Sequence, residues 1–343
     1  MGNIMRLVVA TPSVVDRSRL ARALGQSARI DIIAQPSDLS ETYTICEAQE
    51  PDVVLLAESY AASDEFDCMK SLFSAVGAHW IVIGDPARRT RSAVGSAPGA
   101  ESLILASMSG AELISEIERI VQLRGQPTRR ERVAPPAQAL ARPRTDRLIL
   151  IGASTGGVDA LLNVLSALPA NAPPVAVVQH TGQGFSDSLI RLLDRRATVE
   201  VQGAVDGLIL APGRVCVAAG TAGHLRIGGH PERMLRAVIA PGPPVSGHTP
   251  SVDELFHSAV SFATKVVAVL LTGMGRDGAA GMLALRRAGA ETIAQDEASS
   301  VVYGMPRAAW ESGAAASRLS LNEIAPALLR LCSHDPEHRA MHR

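Results

Sequence analysis

The 343 residues allow two folding units at about 150 residues per domain, and 33 basic against 34 acidic side chains leave a formal net charge of -1. So small an imbalance supplies no global field toward nucleic acid or acidic lipid, and neither partner is expected. A hydrophobic share of 47 % with 20 % charged residues excludes a disordered chain, and 3 % aromatics leave Val, Leu, Ile and Ala to fill the cores.

Cores of that composition suit buried parallel strands flanked by helices, so the expected fold class is α/β, with two doubly wound parallel-sheet domains. Cys46, Cys68, Cys216 and Cys332 lie far apart without CxxC spacing, and no disulfide framework or zinc site is expected. The longest tidy apolar run, Val266 to Leu271, falls well short of the roughly 18 residues of a membrane span. The N-terminus has no basic stretch followed by an apolar core, and position 6 is Arg6 rather than Ser or Thr, so neither secretion nor myristoylation is indicated. A cytoplasmic protein without direct membrane insertion is expected.

In chain order, strand-like runs at Leu7 to Val9, Ile30 to Ala34, Val53 to Leu56, Trp80 to Ile83 and Leu103 to Leu105 alternate with helix-like segments. This predicts a (βα)5 domain over residues 1–125, with one parallel sheet and any site at the strand C-terminal ends. Thr11 with Pro12 predicts the first helix cap, and Ser109 with Glu112 a capping box before the last helix. The run Pro51-Asp52-Val53-Val54-Leu55-Leu56 resembles the approach to the phosphorylated aspartate of a response-regulator receiver, but the next residue is Ala57. A receiver also needs an acidic pair, a hydroxyl and a lysine at positions held here by Ala10 and Thr11, Gly84, and Ala106. Glu58 comes one residue late, which would turn it to the other face of a strand. A receiver-shaped domain without a phosphorylation site is therefore expected.

Residues 126–146 read as an extended Pro/Arg-rich linker. From Arg124 to Arg147 there are seven arginines and four prolines against Glu131 and Asp146 alone; proline fixes φ and the arginines repel one another.

The second domain, residues 147–343, opens with the strand Leu148 to Ile151, the turn Gly152-Ala153-Ser154-Thr155-Gly156-Gly157, and a helix over about Val158 to Leu168. The turn admits three readings: a nucleophile elbow presenting Ser154, a phosphate-cradling loop, or a structural glycine turn. A dinucleotide fingerprint is incomplete, with Ser154 where its second glycine belongs, and the Gly-Lys-Ser/Thr of a Walker loop is absent. A serine nucleophile needs a base, and the base an orienting group. The strand Val175 to Val178 leads to Gln179-His180, and the strand Val266 to Leu271 leads to Asp277. Parallel neighbours present such ends at one edge, so Ser154, His180 and Asp277 can meet there.

Those residues lie within blocks that resemble the catalytic domain of the bacterial chemotaxis protein-glutamate methylesterases, the CheB family. The blocks run in order from Ile151-Gly-Ala-Ser-Thr-Gly-Gly157 and Gln179-His180 through Pro243-Pro244-Val245, Pro250-Ser251-Val252-Asp253 and Leu271-Thr-Gly-Met-Gly-Arg-Asp-Gly278 to Gly304-Met305-Pro306. The resemblance covers Leu148 to about Gly313, and the receiver-like domain with its linker extends it to nearly the whole chain. It implies a triad of Ser154, His180 and Asp277, with the backbone N–H of Met274 and the elbow amide near Thr155 as oxyanion donors. It implies hydrolysis of γ-glutamyl methyl esters on methyl-accepting chemotaxis receptors, and deamidation of receptor glutamines, with no metal or organic cofactor. A histidine-kinase or adaptor complex is a further partner to consider. One departure is Thr181-Gly182, where the family commonly has Met-Pro after the histidine.

A shallow cleft is expected to pass Gly156, Gly273, His248 and Thr249, with Pro241 to Phe256 as one wall and Thr249-Pro250 starting a helix. His334, His338 and His342 read as a polar tail. Two rivals stand beside the esterase: an adaptor that keeps these residues for packing, and a nucleotide-binding module.

Overall fold

Short runs of Val, Leu and Ile become buried parallel strands in the computed structural model, which describes residues 4–61, 66–84, 103–105, 108–124, 146–181, 185–230 and 234–333. The chain divides into two compact units, Met1–Val133 and Ala134–Arg343. The Pro/Arg-rich stretch expected as a linker falls almost entirely outside the described residues, as do Ala106 and the three C-terminal histidines.

The first unit runs β1 (Met5–Ala10), α1 (Val14–Leu24), β2 (Ile30–Ala34), α2 (Leu39–Gln49), β3 (Val53–Ala57), α3 (Glu58–Ala61), α4 (Phe66–Val76), β4 (His79–Gly84), β5 (Leu103–Leu105) and α5 (Gly110–Arg124). Its parallel sheet has the order β2-β1-β3-β4-β5, that of a flavodoxin-like doubly wound domain. Leu7, Val9, Val53 and Leu55 are fully buried and pack with Leu20 and Leu24 of α1 and Leu113, Ile117 and Ile120 of α5. The first cap differs from expectation. Thr11 Oγ1 accepts from Ser13 N–H at 3.3 Å, forming a turn ahead of the helix, and Ser13 is the N-cap, accepting from Asp16 N–H at 3.1 Å. Ser109 and Glu112 do form the reciprocal box, with Glu112 Oε2 2.9 Å from Ser109 N.

The second unit runs β6 (Leu148–Ala153), α6 (Gly157–Ser166), β7 (Val175–Gln179), α7 (Ser186–Arg196), β8 (Glu200–Gly203), β9 (Ile209–Leu210), β10 (Arg214–Ala219), β11 (His224–His230), β12 (Met234–Ala240), α8 (Val252–Ser258), β13 (Val266–Leu270), α9 (Ala279–Arg287), β14 (Glu291–Gln295), α10 (Met305–Glu311), β15 (Ser317–Leu319) and α11 (Leu321–Leu331). Seven parallel strands are ordered β15-β14-β13-β6-β7-β10-β8. β6 comes first in sequence and lies between β13 and β7, so the strand order reverses at β6. Such a switch point opens a crevice at the strand C-terminal ends. The strands β13, β6 and β7 are buried along their whole length, as their unbroken Val, Ile and Leu runs require.

A three-stranded sheet, β11-β12-β9, with antiparallel pairing, flanks this core and has no counterpart in the sequence reading. The helix expected from Thr249-Pro250 begins later: α8 starts at Val252 with Ser251 as its N-cap residue. Among the described residues no helix is long and apolar enough to cross a membrane.

Candidate active site

Ser154 and His180 stand directly after β6 and β7, and Asp277 lies in the loop that leads from β13 to α9. Ser154 follows β6 directly, its N–H donating to Thr272 O at 3.0 Å and its carbonyl accepting from Gly157 N–H at 2.7 Å. That second bond closes a tight turn into α6. Gly156 caps the helix at φ +75, and a β-carbon there would come within 2.5 Å of Val301 Cβ, so both conformation and space demand glycine. His180 follows β7, its N–H donating to Ala153 O at 3.0 Å, which places its backbone beside the elbow.

Gln179 ties these two residues together. Its side chain is 1 % exposed, and Nε2 donates to both Ser154 O and His180 O, each at 2.9 Å. Gly157 leaves room for that amide, since a β-carbon there would fall 2.2 Å from Gln179 Oε1. Thr272, also 1 % exposed, anchors the other side: its hydroxyl lies 2.9 Å from Thr155 O and accepts from Val302 N–H at 2.9 Å, while its own N–H donates to Gln295 Oε1 at 2.8 Å.

Asp277 receives four hydrogen bonds. Oδ2 accepts from His180 Nε2 at 2.9 Å and Val252 N–H at 2.8 Å; Oδ1 accepts from Ser251 Oγ at 2.8 Å and Asp253 N–H at 3.1 Å. Burial alone would raise the carboxyl, but these bonds, led by His180, outweigh it and hold Asp277 below the ordinary carboxylate range. The backbone donors are the free N–H groups at the start of α8, so one carboxylate caps a helix and orients an imidazole. Asp253 returns the arrangement by accepting from Gly281 N–H of α9 at 2.7 Å. Its own carboxyl is raised, first by burial and further by the neighbouring Asp277 charge.

An ionised carboxylate only accepts, so the bond to Asp277 fixes the His180 proton on Nε2 and leaves the lone pair on Nδ1. Nδ1 is buried and has no hydrogen-bond partner among the described residues. The loop after β13 passes close to the elbow: a β-carbon on Gly273 would sit 2.6 Å from Ser154 Cβ and 2.5 Å from Met305 Sδ. Met274 and Thr155, whose backbone N–H groups are the expected oxyanion donors, donate to no acceptor among the described residues. The Met274 side chain is 72 % exposed.

Of the expected cleft residues, Gly156 and Gly273 flank Ser154, His248 stacks on the His180 ring, and Thr249 follows with its hydroxyl oxygen buried. Thr181 is described, but Gly182 lies outside the described residues. Among the described residues no group of His, Cys, Asp and Glu is arranged to hold a metal ion. The sequence reading gave no role to Gln179, Thr272, Ser251 or His224. His224, 2 % exposed, accepts from Ser251 N–H through Nδ1 at 3.1 Å, and its Nε2 lies 2.9 Å from Pro243 O, fixing the approach to α8. Gln179, Ser251 and Thr272 had an advance signal in the blocks that carry the family resemblance, whereas His224 lies outside those blocks.

Comparison with known proteins bears on this geometry. A family model described as CheB methylesterase matches residues 149–328. A protein-glutamate methylesterase/protein-glutamine glutaminase from Caulobacter vibrioides is 36 % identical over 96 % of this chain and 98 % of its own length. One from Gluconobacter oxydans is 51 % identical over 55 % of each chain. The crystal structure of the Thermotoga maritima CheB methylesterase catalytic domain superposes with a TM-score of 0.52 at 34 % identity, covering 54 % of this chain and 98 % of that one.

Proposed function

The chain belongs to the CheB methylesterase family, and on that premise we propose which of its residues carry the chemistry. The protein is a protein-glutamate methylesterase and protein-glutamine glutaminase of chemotactic adaptation, and its substrates are methyl-accepting chemotaxis receptors. Ser154 is the nucleophile, His180 the general base and then acid, and Asp277 the residue that orients His180.

In this reading His180 Nδ1 removes the Ser154 hydroxyl proton as the oxygen attacks the γ-carbonyl of a methylated glutamate. The tetrahedral oxyanion is held by the backbone N–H groups of Met274 and Thr155, and His180 returns the proton to departing methanol. Water then attacks the acyl-enzyme by the same route, releasing glutamate. With a glutamine side chain the leaving group is ammonia and the steps are otherwise unchanged. Asp277 keeps the proton on Nε2 in the resting state and stabilises the imidazolium as it forms. This inverts the more familiar pairing, in which the carboxylate addresses Nδ1 and the nucleophile Nε2.

The observation that best supports these roles is the Nε2 bond from His180 to a carboxylate that accepts four hydrogen bonds, which leaves Nδ1 buried and without a partner among the described residues. The direct test is methanol release from a methylated receptor fragment. Ser154→Ala should lower kcat by at least about 10,000-fold, and an unchanged rate would defeat the assignment. The cytoplasm, where such an enzyme meets a receptor's methylated helices, and a kinase or adaptor complex as further partner belong to the same proposal. So do residues 1–125, 126–146 and 147–343 as receiver-like domain, linker and catalytic domain. The first of these has Ala57 where an acceptor aspartate would stand, so the enzyme is either constantly active or controlled by a binding partner rather than by phosphorylation.

A further inference from the structure

His248 lies face-on against His180, with ring centroids 3.7 Å apart and planes within 9° of parallel. Its position is built by a closed turn: His248 N–H donates to Val245 O at 3.0 Å, and Val245 N–H donates back to His248 O at 3.1 Å. Ser246 at φ +52 and Gly247 at φ +85 reverse the chain between them. The same segment then supplies Ser251, Val252 and Asp253, whose donors fill Asp277. One stretch of chain thus grips the carboxylate and covers the imidazole that the carboxylate orients.

The stack has a sign. A neutral ring attracts an imidazolium through its π face, whereas two imidazoliums at 3.7 Å repel. Burial lowers the pKa of His248, the neighbouring His180 lowers it further, and Asp277 opposes both. His180, beyond β7, and Asp277, before α9, are the titratable groups that act on it. Asp253, on α8, is engaged with Gly281 N–H and lies 3.5 Å from the Ser246 hydroxyl.

We propose that His248 is a positioning residue for the hydrolysis: as an uncharged ring it holds the plane of His180 with Nδ1 toward Ser154, and its own protonation switches the site off. This inference rests on the reading of His180 as general base. The ring blocks rotation about the His180 side chain, a motion the single bond to Asp277 does not prevent. When His180 takes the serine proton, the neutral neighbour stabilises the new charge. Below the ordinary histidine range a proton on His248 makes that charge costly, so the acid loss of activity is steeper than it would be without a second titrating ring.

The test follows methanol release from a methylated receptor fragment across pH, using the full-length enzyme with His248→Ala, His248→Phe and Ser154→Ala. His248→Ala should lower kcat by about tenfold with KM changed less than about twofold. His248→Phe, which keeps a flat ring but cannot titrate, should recover most of that rate. The acid limb of log kcat/KM should steepen toward a slope of about two in the wild type and about one in His248→Phe. Full activity in His248→Ala overturns the role, as does a His248→Phe enzyme no faster than His248→Ala, or a slope shared by wild type and His248→Phe. Full activity in Ser154→Ala would instead overturn the underlying assignment of the site.

Discussion

At the C-terminal edge of the first sheet, β1, β3 and β4 end in Ala10, Ala57 and Gly84. At the same edge of the second sheet, β6, β7 and β13 lead to Ser154, His180 and Asp277. The strands behind both edges are alike, buried runs of Val, Leu and Ile in parallel register. The scaffold is common to both; what differs is the residues at the strand ends and in the loops that follow them. A reactive edge also needs supporting partners. Asp277 needs four donors and the elbow needs Gln179 and Thr272, whereas alanine and glycine at the first edge need none.

The contrast can be broken most severely at Asp277. Asp277→Asn keeps the shape but presents an amide N–H to a ring of donors, and the alternative His180 tautomer is favoured. A loss in kcat of about 10,000-fold is expected, measured by methanol release; a loss under tenfold would mean the carboxylate does not orient the base. Because its folded pKa is depressed, the stability Asp277 contributes is present above its unfolded value of about 3.9. That contribution disappears as the pH falls through the folded value, so acid melts of wild type and Asp277→Asn should converge.

Gly273→Ala tests how closely the second edge must pack. Its β-carbon would lie 2.6 Å from Ser154 Cβ, and displacing the nucleophile by about an ångström costs on the order of 100-fold in kcat. Near-wild-type turnover would show that the loop yields without moving Ser154. Gln179→Met keeps the volume but removes both donors to the Ser154 and His180 carbonyls. It should reduce kcat about tenfold with little change in KM, and a change confined to KM would contradict a positioning role. The smallest effect belongs to the first edge: acetyl phosphate with magnesium should yield no acid-labile phosphoprotein. A stoichiometric phosphoryl group in intact-mass spectra would place an acceptor where none is proposed.

Much of this was legible before any coordinates. β2 and β5 fall on the residues their apolar runs mark, and Ser154, His180 and Asp277 follow strands that β-branched and aliphatic runs make plain. Thr11-Pro12 misled because a Thr-Pro pair serves a turn as well as a cap, and Ser13 was the better donor-acceptor match. The antiparallel sheet escaped because β9 has only two residues and Gly228-Gly229 interrupts the alternation in β11. What sequence could not give was the support of the site. Ser251 to Asp277 spans 26 residues and the His180 ring meets His248 across another stretch entirely, so these contacts depend on tertiary register.

Every role proposed above requires that Ser154 be a nucleophile activated by the Nδ1 lone pair of His180. Treating the full-length protein with a serine-directed fluorophosphonate and mapping the adduct by peptide mass spectrometry tests it most directly. One adduct is expected, on Ser154, and it is lost in His180→Ala. Labelling of Ser154 unchanged by His180→Ala, or methanol release from an enzyme whose Ser154 carries the adduct, would contradict it.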